Sequence, residues 1–274
     1  MRFDQNKFAA FDIYILERKN AAQHYSEAER SAARTAYEAM SEQDIEQIIF
    51  NIASALPGST TESLTIPAFR DKLETYATVD EDVLRRNLIE FLEAVTPVAE
   101  KLNVRLTLHP DDPPRSLFGL PRIASTAADY AMLFDAVPSV ANGMCFCTGS
   151  LGVRPDNDLP AMARQFASRI HFSHLRSTLR EPDGHSFYEA AHLEGNVDMV
   201  AVLRELVAED KKRDRNSQVI FRSDHGHRML DDLEKTVTPG YPVIGRMRGL
   251  AELRGIITAL DADALRLAPD QAPR

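Results

Sequence analysis

The chain has only two cysteines among 274 residues, no excess of basic charge, no long apolar run and no low-complexity tract. Cys145 and Cys147 are too close together for an ordinary stapling disulfide, so both are expected as free thiols in a reducing compartment. A formal charge of −9 offers no field for a polyphosphate, and no Lys/Arg stripe with interleaved aromatics occurs, so nucleic acid is not an expected partner. The N-terminal segment lacks the apolar h-region of a secretory signal, and no stretch approaches the roughly 18 apolar residues of a membrane span. A soluble, cytoplasmic chain with no membrane partner is therefore expected. The short-spaced metal signatures CxxC and HExxH are also missing, so a metal centre would have to be assembled from distant residues.

What is present is 44% apolar residues, enough to bury a sizeable core in one large domain or two small ones. Residues 1 to about 102 read as mainly helical. Ser26 with Glu29 forms a capping box before "RSAARTAYEAM", and Ser41 with Asp44 a weaker analogue before "IEQIIFNIASAL". "LPGSTTESLTIP" reads as a loop, and "DEDVLRRNLIEFLEAVTPVAEKL" as a helix that Pro97 kinks or breaks.

From residue 103 the texture changes. Strand-like runs at 104–109, 143–147, 169–175 and 218–224 alternate with helical patterns near 126–136, 157–168, 196–213 and 243–260. This βαβα alternation predicts parallel strands with helices packed outside them. The residues that bind metals fall at the strand ends: His109 ends the first, Cys147 the second, His174 nearly ends the third and Asp224 ends the fourth. Sites in parallel α/β architectures form beyond the carboxyl ends of the strands, so these four are expected to meet. Taken singly, His109 is more simply a loop hydrogen-bonding residue and Cys147 a small buried hydrophobe. His171 and His174 are three apart on one strand and must face opposite ways, which makes His171 structural; Cys145 shares a face with Cys147 but lies deeper, in the core. A His, Cys, His, Asp set suits a divalent first-row cation such as Mn²⁺, Fe²⁺, Co²⁺ or Zn²⁺.

The blocks "LHPDDPPRSLFGLPRIAST", "CTGSLGVRPDNDLPAM", "IHFSHLRSTLREPDG", "HLEGNVDMVAV" and "DHGHRMLDDLEKTVTPGYPVIGRMRGLAELRG" resemble mannonate dehydratases of hexuronate degradation, and "MRFDQNKFAAFDIYIL" does as well. The resemblance implies a xylose-isomerase-like TIM barrel, Mn²⁺ with Fe²⁺ or Co²⁺ as substitutes, and dehydration of D-mannonate to 2-keto-3-deoxy-D-gluconate. It places the metal ligands at His109, Cys147, His174 and Asp224 and assigns proton transfer to His225 and Tyr241. Eliminating water across C2 and C3 requires one group to take a proton and another to give one. Histidine titrates near neutrality and suits the base, and the tyrosine suits the donor, although the two roles are exchangeable.

Arg176 is a candidate for the substrate carboxylate, with a structural salt bridge as its equal alternative. His227 is a candidate substrate-binding residue, with a loop hydrogen bond as the simpler reading. Arg154, Asn157 and His192 share the even ambiguity of Arg176, and "EDKKRDR" (209–215) reads as a solvated helix end.

Only four βα units are visible, against the eight of a complete barrel. The resemblance therefore implies that residues 103–274 form the C-terminal half of the barrel with the metal site. Residues 1–102 then form a helical insertion before the fifth strand, and an N-terminal half-barrel would be missing. An open sheet of this kind would expose its edges and favour a homo-oligomer. Ser223 stands where the resemblance leads one to expect proline. The alternatives are a noncatalytic remnant that keeps metal affinity, or a related sugar isomerase or epimerase on the same metal platform.

Overall fold

The structure, a computed structural model, describes residues 1–53 and 64–261; most of the expected loop at 56–67 and the expected frayed tail at 267–274 lie outside the described residues. Strand β1 (Arg2–Phe3) leads into α1 (Gln5–Ala10), which Asp4 caps by accepting from the amides of Asn6 and Lys7. A π-helical turn at Phe11–Ile15 continues it. Helices α2 (Glu27–Glu38) and α3 (Glu42–Ala53) start where the sequence predicts. Ser26 and Glu29 cap each other reciprocally, and Ser41 and Asp44 do the same.

Next come α4 (Ile66–Glu74) and α5 (Glu81–Lys101). Helix α5 passes through Pro97, contrary to the expected break. A proline removes one backbone donor, but Leu102 still donates to Val98 at 3.1 Å, and buried Thr96 and Ala99 hold the last turns against the rest of the chain.

The second part supplies β2 (Leu106–Leu108), α6 (Ala127–Ala136), β3 (Asn142–Cys147), α7 (Thr148–Gly152), α8 (Leu159–Gln165) and β4 (Ile170–His174). It continues with β5 (Ser177–Arg180), β6 (Phe187–Ala190), α9 (Met199–Asp210), β7 (Ile220–Arg222) and α10 (Val243–Leu260). Strands β2, β3, β4 and β7 form the expected four-stranded parallel sheet in that order. The outer strands are shorter than the sequence suggests, Leu106–Leu108 for 104–109 and Ile220–Arg222 for 218–224, because each is paired on one side only among the described residues.

The core lies between this sheet and the helices that follow its strands. Tyr130 and Phe134 of α6, Met144 and Phe146 of β3, Met162 of α8, Leu203 of α9 and Leu253 of α10 pack into one cluster. Each such side chain contributes on the order of 1.5–3 kcal/mol by leaving water.

A second sheet was not expected from the sequence. Strands β1, β6 and β5 pair antiparallel, with Phe3 opposite Phe187 and Leu179 opposite Tyr188, so the first residues are stitched onto the region beyond residue 103. The β5–β6 hairpin closes at "EPDGHS". There Gly184 takes φ 73° and Asp183 Oδ1 accepts from the amides of His185 and Ser186, a turn chemistry that the alternation of strands and helices hides. The 209–215 charge run is also not simply solvated. Glu209 is buried and pairs with Arg213, whose guanidinium donates to the carbonyls of Ile170, Ser217 and Ala167. That clamp ties the end of α9 to the start of β4.

Candidate active site

The carboxyl ends of the four parallel strands do converge. Register places Cys147 beside His174 and His174 beside Arg222, so the next residues of the fourth strand, Ser223 and Asp224, arrive at the same level. Cys147, His174 and Asp224 are all buried and present donor atoms within 4.8 Å of one another. His109, at the end of β2, brings Nε2 to 3.2 Å from His174 Nδ1, while its own Nδ1 lies 2.7 Å from the Pro110 carbonyl. A carbonyl only accepts, so the His109 proton sits on Nδ1 and Nε2 presents a lone pair to the cluster.

Cys145 departs from expectation. It is buried, but its donor atom also lies within 4.8 Å of those of His109 and His174. Burial pushes its thiol up to about 12, with the neighbouring Cys147 and Asp224 adding to the effect. A thiol so reluctant to ionise is a poor ligand beside Cys147. His171, by contrast, stays apart from the cluster, with Nε2 3.0 Å from the Val140 carbonyl.

Asp224 adopts φ 58°, a left-handed conformation that costs a non-glycine residue about 1–2 kcal/mol but that aspartate tolerates better than most. Burial would raise its carboxyl, but His225, His174, Arg176 and Arg222 together outweigh that and hold it below the ordinary range. Its Oδ1 is buried and has no aligned hydrogen bond, although Arg222 approaches to 2.7 Å. Its Oδ2 faces His174 Nδ1 at 3.6 Å, and a buried carboxylate beside a thiol and two imidazoles is the donor set a divalent transition metal takes, so these residues fit such an ion.

Around this centre lies a ring of buried polar groups. Arg176 is 5% exposed; it donates to Asp112 Oδ2 at 2.7 Å, places Nε 3.5 Å from Glu189 and Nη1 3.7 Å from Asp224. Burial would lower its basicity, but the facing Cys147, Asp112, Glu189 and Asp224 keep it protonated. Ser150 Oγ lies 3.1 Å from both Cys147 Sγ and Asp112 Oδ2. Thr148 Oγ1 reaches the carbonyls of His174 and Arg176, locking the end of β3 to the end of β4.

His225, also buried, faces Tyr241, with Nε2 3.3 Å from Oη. The Gly226 amide donates to the Gly240 carbonyl at 3.0 Å, and this staple brings the tyrosine loop to the histidine. Tyr241 itself is 36% exposed, so the pair opens toward solvent on one side.

His227 Nε2 lies 2.8 Å from the Glu189 carbonyl, His192 Nε2 lies 2.7 Å from the Ser223 carbonyl, and Asn157 donates to the carbonyls of Ser125 and Leu151. Arg154 pairs with Asp156. His227, His192 and Asn157 thus each tie a loop to a distant backbone carbonyl. Asp112, Ser150 and Glu189 were missed from the sequence. Only Glu189 left a signal, a carboxylate on the inward parity of "FYEA", where Phe187 and Glu189 are buried and Tyr188 is exposed.

A family model described as D-mannonate dehydratase (UxuA) matches residues 1–266. A mannonate dehydratase of Brucella canis is 75% identical over 270 residues, covering 98% of this chain and 67% of its own length. One from Chromohalobacter salexigens is 51% identical over 262 residues, covering 95% of this chain and 67% of its own. Among solved structures, the mannonate dehydratase from Streptococcus suis serotype 2 aligns with a TM-score of 0.64 and 33% identity, over 76% of this chain and 57% of that one. The chain thus spans about two thirds of the length of these curated relatives.

Proposed function

The chain belongs to the mannonate dehydratase family, hydro-lyases acting on a small sugar acid, and from that premise we propose that the strand-end cluster is the site at which it converts D-mannonate to 2-keto-3-deoxy-D-gluconate. The observation that carries the reading is the juxtaposition of two assemblies, the Cys147, His174 and Asp224 donors within 4.8 Å and the His225–Tyr241 pair at 3.3 Å. His109, Cys147, His174 and Asp224 would hold a divalent cation, Mn²⁺ with Fe²⁺ or Co²⁺ as substitutes, which when bound supplies Lewis-acid stabilisation of the charge that develops beside the substrate carboxylate.

His225 takes the C2 proton through Nε2, the ring nitrogen directed at Tyr241 and the solvent-facing side of the site. Tyr241 gives its Oη proton to the hydroxide leaving C3, so that one water departs and the enol that remains tautomerises to the 2-keto acid. Arg176 holds Asp112, Glu189 and Asp224 in one frame around the site. Asp224 and His225 occupy consecutive positions after one strand end, and this adjacency keeps the binding and proton-moving groups in fixed relation.

No helix among the described residues is long and apolar enough to cross a membrane. The two free thiols support a cytoplasmic setting. Exposed Ile220 on β7, the last strand of the parallel sheet, supports self-association, which light scattering measures.

The deciding experiment is turnover of D-mannonate by the purified chain with added Mn²⁺, following the 2-keto-3-deoxy acid. Product that disappears with chelator is expected. A soluble, metal-loaded chain that forms no product, or an Asp224→Ala chain that keeps full metal content and turnover, overturns the assignment.

A further inference from the structure

Glu189 sits on β6, in a different sheet from every predicted ligand, and its side chain is 5% exposed. Its Oε2 lies 3.0 Å from His225 Nδ1. Its other oxygen, Oε1, has no hydrogen-bond partner and faces Arg176 Nε at 3.5 Å. We propose that Glu189 is the positioning residue of the site: it accepts a hydrogen bond from His225 Nδ1–H, fixes the imidazole in the Nδ1–H tautomer and so leaves the Nε2 lone pair to face Tyr241.

The geometry offers two ways to satisfy Nδ1, and they exclude each other. Arg176 Nη1 is also 3.0 Å from Nδ1 and can only donate, whereas Glu189 can only accept. If Nδ1 were bare, it would turn its lone pair on a buried carboxylate oxygen, and Glu189 would have no aligned donor on either oxygen. If Nδ1 carries the proton, the carboxylate is satisfied and Arg176 keeps its 2.7 Å bond to Asp112. A buried carboxylate without a donor costs more than one guanidinium N–H without an acceptor, when that guanidinium is otherwise engaged. The Nδ1–H tautomer therefore prevails.

Its consequence is directional. His225 Nε2 and Tyr241 Oη are 3.3 Å apart, and with Nε2 bare the phenol donates to it. Had the tautomer been reversed, Nε2–H would donate to the phenol oxygen and no base would face the substrate. The strand that bears Glu189 is fixed at the same residue, whose amide donates to the Met1 carbonyl at 2.9 Å. This inference rests on the reading of His225 as the proton acceptor.

The test is Glu189→Gln, for a reason the structure supplies. The amide oxygen is the better partner for Arg176 Nε, which directs the amide NH₂ at Nδ1 and forces the Nε2–H tautomer. In the Mn²⁺-loaded chain this variant is expected to lose about 10²–10⁴-fold in kcat, with KM within about threefold and metal content unchanged. Glu189→Asp keeps the carboxylate and is expected to recover most of that loss.

Independently of activity, ¹⁵N-histidine NMR of the metal-free full chain, with the His225 signals identified from a His225→Gln chain, is expected to show the Nδ1–H tautomer in wild type and its reversal in Glu189→Gln. An Nε2–H wild type, or a Glu189→Gln chain that keeps both the wild-type tautomer and its kcat, overturns the proposal. A wild type that shows the Nδ1–H tautomer but no turnover overturns the dehydratase reading and leaves the positioning intact.

Discussion

Gly249 and Gly255 lie on the same helix, α10, and the structure predicts opposite outcomes for the same substitution at each. A Cβ at Gly249 would come within 2.1 Å of His192 Cε1 and 2.2 Å of its Nδ1, whereas nothing lies within 4 Å of one at Gly255. Carbon atoms rest about 3.5–4.0 Å apart, so the His192 ring would have to retreat by more than about 1 Å. It cannot do so freely, because the ring is buried and bonds the Ser223 carbonyl at 2.7 Å, the residue that delivers Asp224. Overpacking costs about 1–3 kcal/mol and a stranded buried carbonyl a further 1–3, against about 0.5–1 gained by replacing glycine in a helix. The net loss for Gly249→Ala is therefore about 1–5.5 kcal/mol, a fall in Tm of roughly 2–22 °C for a chain of this size. Gly255→Ala gains the helix term alone and raises Tm by roughly 1–4 °C. Differential scanning fluorimetry of the two variants beside wild type decides it. Should Gly249→Ala melt at or above wild type, the close approach of α10 to His192 is not a constraint and the reasoning fails.

Cys147→Ala and Asp224→Asn are expected to lower bound Mn²⁺, and His225→Ala to abolish turnover with metal retained; atomic absorption beside the product assay separates them, and equal metal loss in all three would contradict the division of roles. Cys145, buried and with its thiol pushed up to about 12, is expected to resist iodoacetamide at pH 8 in the native chain and to react once urea exposes it; rapid native labelling read by mass spectrometry would count against that burial. Asp12 is fully buried, pairs with Arg18 at 2.6 Å and accepts from Tyr25 at 2.9 Å. Asp12→Ala strands the arginine and is expected to cost about 3–5 kcal/mol, seen as a lower urea midpoint. An unchanged midpoint would show that Arg18 finds water instead.

The sequence carried the parallel sheet and its four convergent ends because two periodicities were visible at once: apolar strand runs alternating with helical ones, and metal-type residues falling at the end of each run. Helix starts were legible from capping pairs, since a cap is a local exchange of hydrogen bonds between residues three apart. What escaped was non-local. Arg2–Phe3 is too short to show a period, and its pairing with β6 is decided by a partner far along the chain. The Arg213 clamp on three carbonyls looked like a solvated charge run because sequence shows a guanidinium but not the carbonyls that receive it. Asp112 and Glu189 escaped for a related reason: a buried ion-pair network has no spacing rule, and only the fold puts Asp112, Glu189, Asp224 and His225 around one arginine.

The pairing of β1 with β6 also sets a schedule for the growing chain. Phe3 meets Phe187, a separation of 187 − 3 = 184 residues, so the first strand has no partner until synthesis has advanced that far. At about 5–20 residues per second the interval is roughly 9–37 s, long compared with the helix and hairpin events that complete in microseconds. Through that interval Phe3 lacks the Phe187 ring on which it stacks at 5.6 Å in the finished molecule. The strand that bears Glu189 is thus clamped only after that interval, and the site cannot take its final geometry before it.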